Sequence, residues 1–126
     1  MEGIVNERAM NTFTIPFSLI SLNEYINAER TNKFKASKIK KDLTNNIGYF
    51  CKKLSLDPCQ YDLVIVWTTK DKRKDTDNVT FAVKFILDAV VKMGKLPSDG
   101  YKHIRNISHI REIGTENILV TFNKVQ

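Results

Sequence analysis

Cysteine is scarce in this chain of 126 residues: there are two, Cys51 and Cys59. Two thiols at that spacing build neither a disulfide framework nor a four-ligand zinc site, so they read as free thiols in a reducing compartment. Glycine (5) and proline (3) are also few and never gather into a linker. With no internal repeat or low-complexity tract either, residues 1–126 read as one domain. No apolar run approaches the ~20 residues that a spanning helix needs. The opening MEGIVNERAMNTF has acidic residues early and no basic segment leading into an apolar one, which excludes a signal peptide. The expectation is a cytoplasmic protein with no membrane partner, its residues 1–10 forming a loose extension.

What the chain does have is positive charge. Lys and Arg number 20 against 14 Asp and Glu, giving +6 and a pI near 9.4. Such a surplus favours a polyanionic partner, because each phosphate neutralised releases condensed counterions. Solubility alone is the plainer reading of the same surplus. Helix-turn-helix, zinc-finger and RNA-recognition motifs are all missing.

Hydrophobic periodicity gives the elements. Asn11–Phe17 alternates, with Phe13, Ile15 and Phe17 on one face, and reads as a strand. Ser18–Phe34 has no sustained period and reads as an irregular loop. Ala36–Leu54 carries Ile39, Leu43, Ile47, Phe50 and Leu54 at helical spacing, with Ser37 as a candidate cap. Tyr61–Thr69 is apolar on both faces, as a strand covered on both sides or central in a sheet would be. His103–Glu112 and Asn117–Asn123 read as a closing hairpin around Gly114–Glu116. The isoleucines at 104, 107, 110 and 113 suggest that its first strand is bulged or twisted. These elements make an α+β fold, a small mixed sheet of about four strands with two helices.

The second helix is Val79–Met93. Its stripe of Val79, Ala82, Val83, Ile86, Val90 and Met93, with Phe81, Phe85 and Leu87 elsewhere, exceeds what one sheet face covers. A homodimer through this helix is the simplest expectation. Its polar residues Thr80, Lys84, Asp88 and Lys92 follow a four-residue progression, readable as an ordinary Lys84–Asp88 surface pair.

Before that helix stands KDKRKDTDN: Lys70, Lys72, Arg73 and Lys74, then Asp75 and Asp77 one residue apart. In extended chain the two carboxylates project to one side. Mg²⁺ commonly takes one or two protein carboxylates plus waters and phosphate oxygens, so the pair suits it on a phosphate-binding surface. The competing reading makes Asp77 a helix cap and Asp75 a turn residue. Asp99, in the turn-rich stretch KLPSDG, also reads as a turn residue when taken alone. His103 and His109 read as structural.

Basic residues, Asp75-x-Asp77-Asn78, a helix with Lys84 and Asp88-Ala89, and Asp99 beyond it together resemble the RusA family of Holliday junction resolvases, small phage- and prophage-associated endonucleases. The upstream strand, the short N-terminal strand ending near Pro16 and the segment Ser21-Leu22-Asn23-Glu24-Tyr25 fit the same family. The resemblance implies Mg²⁺, or Mn²⁺ in its place, held by Asp75, Asp77 and Asp99, with Lys84 as a further catalytic residue. The family usually places that lysine four residues after the second aspartate, where Phe81 stands here, so Lys74 is the substitute candidate. Lys70, Lys72, Arg73 and Lys74 are then the DNA-binding set. The implied activity is a crossover junction endodeoxyribonuclease that cuts by paired symmetric nicks, leaving at the 3′ oxygen, in DNA recombination and repair. It implies a bacterial, nucleoid-associated setting. A non-catalytic nucleic-acid binder, or a metal nuclease for other branched or single-stranded DNA, remains the alternative.

Overall fold

The central strand decides the architecture. In the computed structural model, which describes residues 10–126, Tyr61–Thr69 (β2) runs through the middle of a four-stranded mixed sheet. Thr12–Ile15 (β1) pairs antiparallel with Asn117–Lys124 (β4), β4 pairs antiparallel with β2, and β2 pairs parallel with Ile104–Ile113 (β3). The order is β1-β4-β2-β3. All but the last residue of the expected N-terminal extension lies outside the described residues.

The hairpin expectation is therefore corrected. Strands β3 and β4 are joined by three residues but are not neighbours, because β2 lies between them. The connection steps over the end of β2, where the Gly114 N–H donates to the Thr69 carbonyl at 2.8 Å. A nine-residue strand apolar on both faces is costly at an edge, and flanking it on both sides removes that exposure. The threefold isoleucine spacing has its cause in a register shift after Tyr61, where Ile104 and Asn106 pair with consecutive β2 residues. That bulge brings Ile104 and Ile107 to the same face.

All helices cover one side of the sheet. Leu63, Ile65, Trp67, Ile118, Val120 and Phe122 meet Ile47, Cys51 and Leu54 from one helix and Phe85, Ile86 and Val90 from another. Each such side chain contributes about 1.5–3 kcal/mol on full burial. Val64, Val66, Ile110 and Leu119 lie on the opposite, open side.

The helices number four among the described residues, not the two read from the sequence. The segment expected as loop contains α1, Leu22–Thr31. Its start is a capping box: Ser21 Oγ accepts from the Glu24 N–H, and Glu24 Oε1 accepts from the Ser21 N–H at 3.1 Å. Asn32, in extended conformation, ends α1 and caps α2 (Lys33–Phe50), its side chain accepting from Phe34 and Lys35 N–H. Ser37 is thus inside α2 and is not its cap.

The expected Val79–Met93 helix is also divided, into α3 (Thr76–Thr80) and α4 (Val83–Lys92). The break falls at Phe81–Ala82, among β-branched Val79, Thr80 and Val83, which favour a helix weakly. There Ala82 is fully buried, and the Phe81 ring packs tilted against Tyr25 and edge-on against Phe85, with centroids 5.6 Å apart in each case. Gly94, with φ 72°, closes α4: its N–H donates to Val91, and the Lys95 N–H to Val90.

Packing within the chain covers most of the apolar surface on which the dimer expectation was built. Phe85, Ile86, Ala89 and Val90 are buried, and Val79, Phe81, Val83 and Leu87 pack against the core. The apolar excess is covered by α1 and α2 within the chain, leaving Met93 as its exposed end.

Candidate functional site

The basic segment after β2 is a loop at the carboxyl end of the central strand, shaped by its own side chains. The Asp71 carboxylate accepts from the Arg73 backbone N–H at 3.0 Å and from its guanidinium at 2.7 and 2.9 Å. These bonds hold the Asp71 carboxyl down to about 2. Arg73 is therefore already ion-paired, although its side chain remains exposed.

Lys74 reaches across to α1, where its Nζ lies 3.2 Å from Glu24 Oε1. The Glu24 carboxyl is lowered first by its bonds to Ser21 and then by Lys74. The segment Ser21–Tyr25 also meets the Asp-x-Asp-Asn stretch itself: Asn78 Oδ1 accepts from the Asn23 N–H at 2.9 Å. Two separate stretches that carry the resemblance are thus bonded to each other in the fold.

Asp75 occupies the N-cap position of α3, with φ −66° and ψ 152°, but its side chain makes no capping bond. Asp77 lies in the first turn, where its carbonyl, not its carboxylate, accepts from Phe81. The turn-and-cap reading is corrected: Asp75, not Asp77, holds the cap position, and Asp77 lies in helical rather than extended chain, so the two do not project as a strand pair would. Among the described residues, ion pairs take up Glu24, Asp42, Asp57, Asp62 and Asp71, and none takes Asp75, Asp77, Asp88 or Asp99.

The site residues expected together occupy two places. Asp75 lines a groove with Lys72, Lys74, Thr76 and Arg111. Asp99 lines another with Asp88, Lys40, Lys41 and Lys92, between α2 and α4. Among the described residues, no three of His, Cys, Asp and Glu are grouped as metal ligands. Lys84 lines neither groove; its Nζ stands 5.8 Å from the Phe81 ring centroid, and no Lys84–Asp88 ion pair forms among the described residues. The break at Phe81–Ala82 also places Asp77 and Lys84 on different helices.

Sequence reasoning missed Arg111. It sits on β3 opposite Trp67, and its guanidinium braces the loop. One terminal nitrogen donates to the Lys74 carbonyl at 2.7 Å and the other to Thr69 Oγ1 at 3.0 Å, while the buried Nε has no partner. A lone arginine in a strand pattern gives no signal of this, since its neighbours depend on the parallel pairing of β2 with β3. Beside it, Trp67 Nε1–H donates to His109 Nδ1 at 2.9 Å, and burial lowers the His109 pKa. His103 is buried, its Nδ1 2.9 Å from Ser98 Oγ, as a structural histidine should be. Cys51 and Cys59 are free thiols, and burial raises the pKa of the former. No helix among the described residues is long and apolar enough to cross a membrane.

A cavity of about 380 Å³ opens between this loop and the Ser18–Ser21 segment. Its floor includes Leu19, Trp67, Val79 and Ile118, and its rim carries Lys70, Arg73, Lys74 and Arg111. Lys74 and Arg111 also line the Asp75 groove, so they stand as the wall between the two. No protein-family model matches the chain, and no curated protein matches it significantly.

Proposed function

We propose that the chain is a Mg²⁺-dependent endodeoxyribonuclease acting on branched DNA, with the four-way junction as its substrate. The carrying observation is that, among the described residues, no ion pair takes the Asp75 or Asp77 carboxylate at the start of α3, although Asp75 shares its groove with Lys72, Lys74 and Arg111. The donor chemistry fits a hard divalent ion, with Asp75 and Asp77 as the carboxylates that hold it. When bound, such an ion acidifies a water and offsets phosphate charge.

The chain's own residues do the rest. Lys74 and Arg111 receive the scissile phosphate, and their partners hold them in position before DNA arrives. Lys70 and Lys72 set the backbone track. Water adds to phosphorus, the bond to the 3′ oxygen breaks, and that oxygen takes the proton, leaving a 5′ phosphate. Lys74, rather than Lys84, is the assigned cation for the developing charge, because it lines the Asp75 groove. Paired nicks need two sites related by symmetry, so the proposal includes a homodimer, for which the Val79–Met93 face offers little free apolar surface.

A second reading, a DNA-binding protein that does not cut, is favoured by the placement of Asp75 and Asp99 in different grooves. An end-labelled mobile junction incubated in Mg²⁺, with linear duplex, flap and EDTA controls, separates them. Paired symmetric nicks that vanish with EDTA are expected. Binding without cutting in Mg²⁺ or Mn²⁺ would give the second reading, and cutting of flaps alone would move the substrate.

A further inference from the structure

We propose that the 380 Å³ cavity is a pocket for one unpaired nucleotide of a DNA strand, its base on the apolar floor and its phosphate against Arg111 and Lys74. This assignment rests on the reading above for its partner, but not on metal or cleavage.

The cavity's chemistry has two halves. Leu19, Val79, Ile118 and the edge of Trp67 make an apolar floor, which suits a flat heterocycle. The rim carries four cations, Lys70, Arg73, Lys74 and Arg111, against two carboxylates, Asp71 and Glu116, and the cations differ in how far they are already compensated. Arg73 is matched by Asp71, and Lys74 by Glu24. Arg111 is not: its bonds go to two carbonyls and a hydroxyl, all neutral, and no ion pair takes it among the described residues. Its Nε is buried without a partner. A partly buried guanidinium held only by neutral acceptors is a favourable place for an anion, since a buried charge is costly until it is paired. Apolar floor and single anionic contact together describe a nucleotide more closely than a bare phosphate or an apolar ligand.

The position adds the strand. Arg111 and Lys74 line both this cavity and the Asp75 groove, so a phosphate on them belongs to a nucleotide whose base enters the cavity and whose neighbour runs past Asp75. Junctions and bulges supply such a base cheaply, because unstacking costs least where pairing is already lost.

Trp67 is the chain's single tryptophan and lines the cavity, so its emission reports occupancy. The protein would be titrated in EDTA with a duplex carrying one bulged nucleotide, the fully paired duplex, a deoxynucleoside monophosphate and inorganic phosphate. The bulged duplex should change Trp67 emission saturably and bind at least tenfold more tightly than the paired one. Arg111→Gln should remove that tenfold preference. Ser18→Phe, an exposed site at the mouth, should do the same without touching the Arg111 bonds, so a misfolded Arg111 variant does not decide the matter. Equal responses to bulged and paired duplex, or silence of Trp67, would overturn the proposal. A response to the free monophosphate without the bulged duplex would overturn the strand as its source. Since no cleavage is read, these outcomes are independent of whether the protein cuts.

Discussion

Two pairs of carboxylates face lysines in this molecule, and they do so differently. Asp75, two residues before Asp77, shares a groove with Lys74 and Arg111, which are bonded to Glu24, Thr69 and a backbone carbonyl. Asp88 and Asp99 share a groove with Lys40, Lys41 and Lys92 on helix surfaces, of which Lys92 donates to Asn45. Long exposed lysines move freely and neutralise nearby carboxylates only weakly and transiently in water. Lys74 and Arg111 have other partners as well, which compete with their approach to the neighbouring acid. The first place thus sets a carboxylate among cations that have other partners, and the second is a mixed-charge surface.

The largest expected effect comes from breaking the first pair. Asp75→Asn or Asp77→Asn should lower Mg²⁺-dependent cleavage by at least about a hundredfold, roughly 3 kcal/mol of barrier. The double variant should lose little more, because residues that hold one ion act as a unit. Thermal melting should stay near wild type, as neither side chain caps α3. Asp99→Asn is the contrasting case and should cost about tenfold or less under the same assay. A loss equal to that of Asp77→Asn would mean that the two grooves close on one another when DNA binds.

A smaller effect sharpens the positioning of Lys74. Ser21→Ala removes one side of the capping box and should cost about 1 kcal/mol, read by chemical denaturation. It also frees Glu24 to pair more closely with Lys74, so DNA affinity should fall while the affinity for Mg²⁺ does not.

The smallest effect is with pH. His109 has a lowered pKa in the folded chain, and its Nδ1 accepts from Trp67 only while unprotonated. The unfolded chain then binds the proton more readily than the folded one, so this contribution is present above the usual histidine value near 6.5. It is lost as pH falls through the folded value. A shift of Trp67 emission below about pH 6.5 should accompany it and disappear in His109→Phe.

The sequence carries these regions unequally. β2 is legible because nine residues of YDLVIVWTT leave no polar face for a helix to show. α1 is hidden by scattered apolar residues, although Ser21 and Glu24 spell its start. The division at Phe81–Ala82 is concealed because the apolar spacing continues across it. Strand order is not legible at all: three residues between β3 and β4 look like a hairpin until β2 claims the place between them. The same holds for the site. Asp75 and Asp77 are visible as a pair in the sequence, whereas Arg111 reaches Lys74 only through the β2–β3 register.

Paramagnetic mapping tests the central claim most directly. Substoichiometric Mn²⁺ added to isotope-labelled protein should first broaden the backbone resonances of Asp75 to Asn78 and of Lys74, and the effect should vanish in Asp77→Asn. Broadening that begins at Asp88 and Asp99, or that Asp77→Asn leaves unchanged, would contradict it.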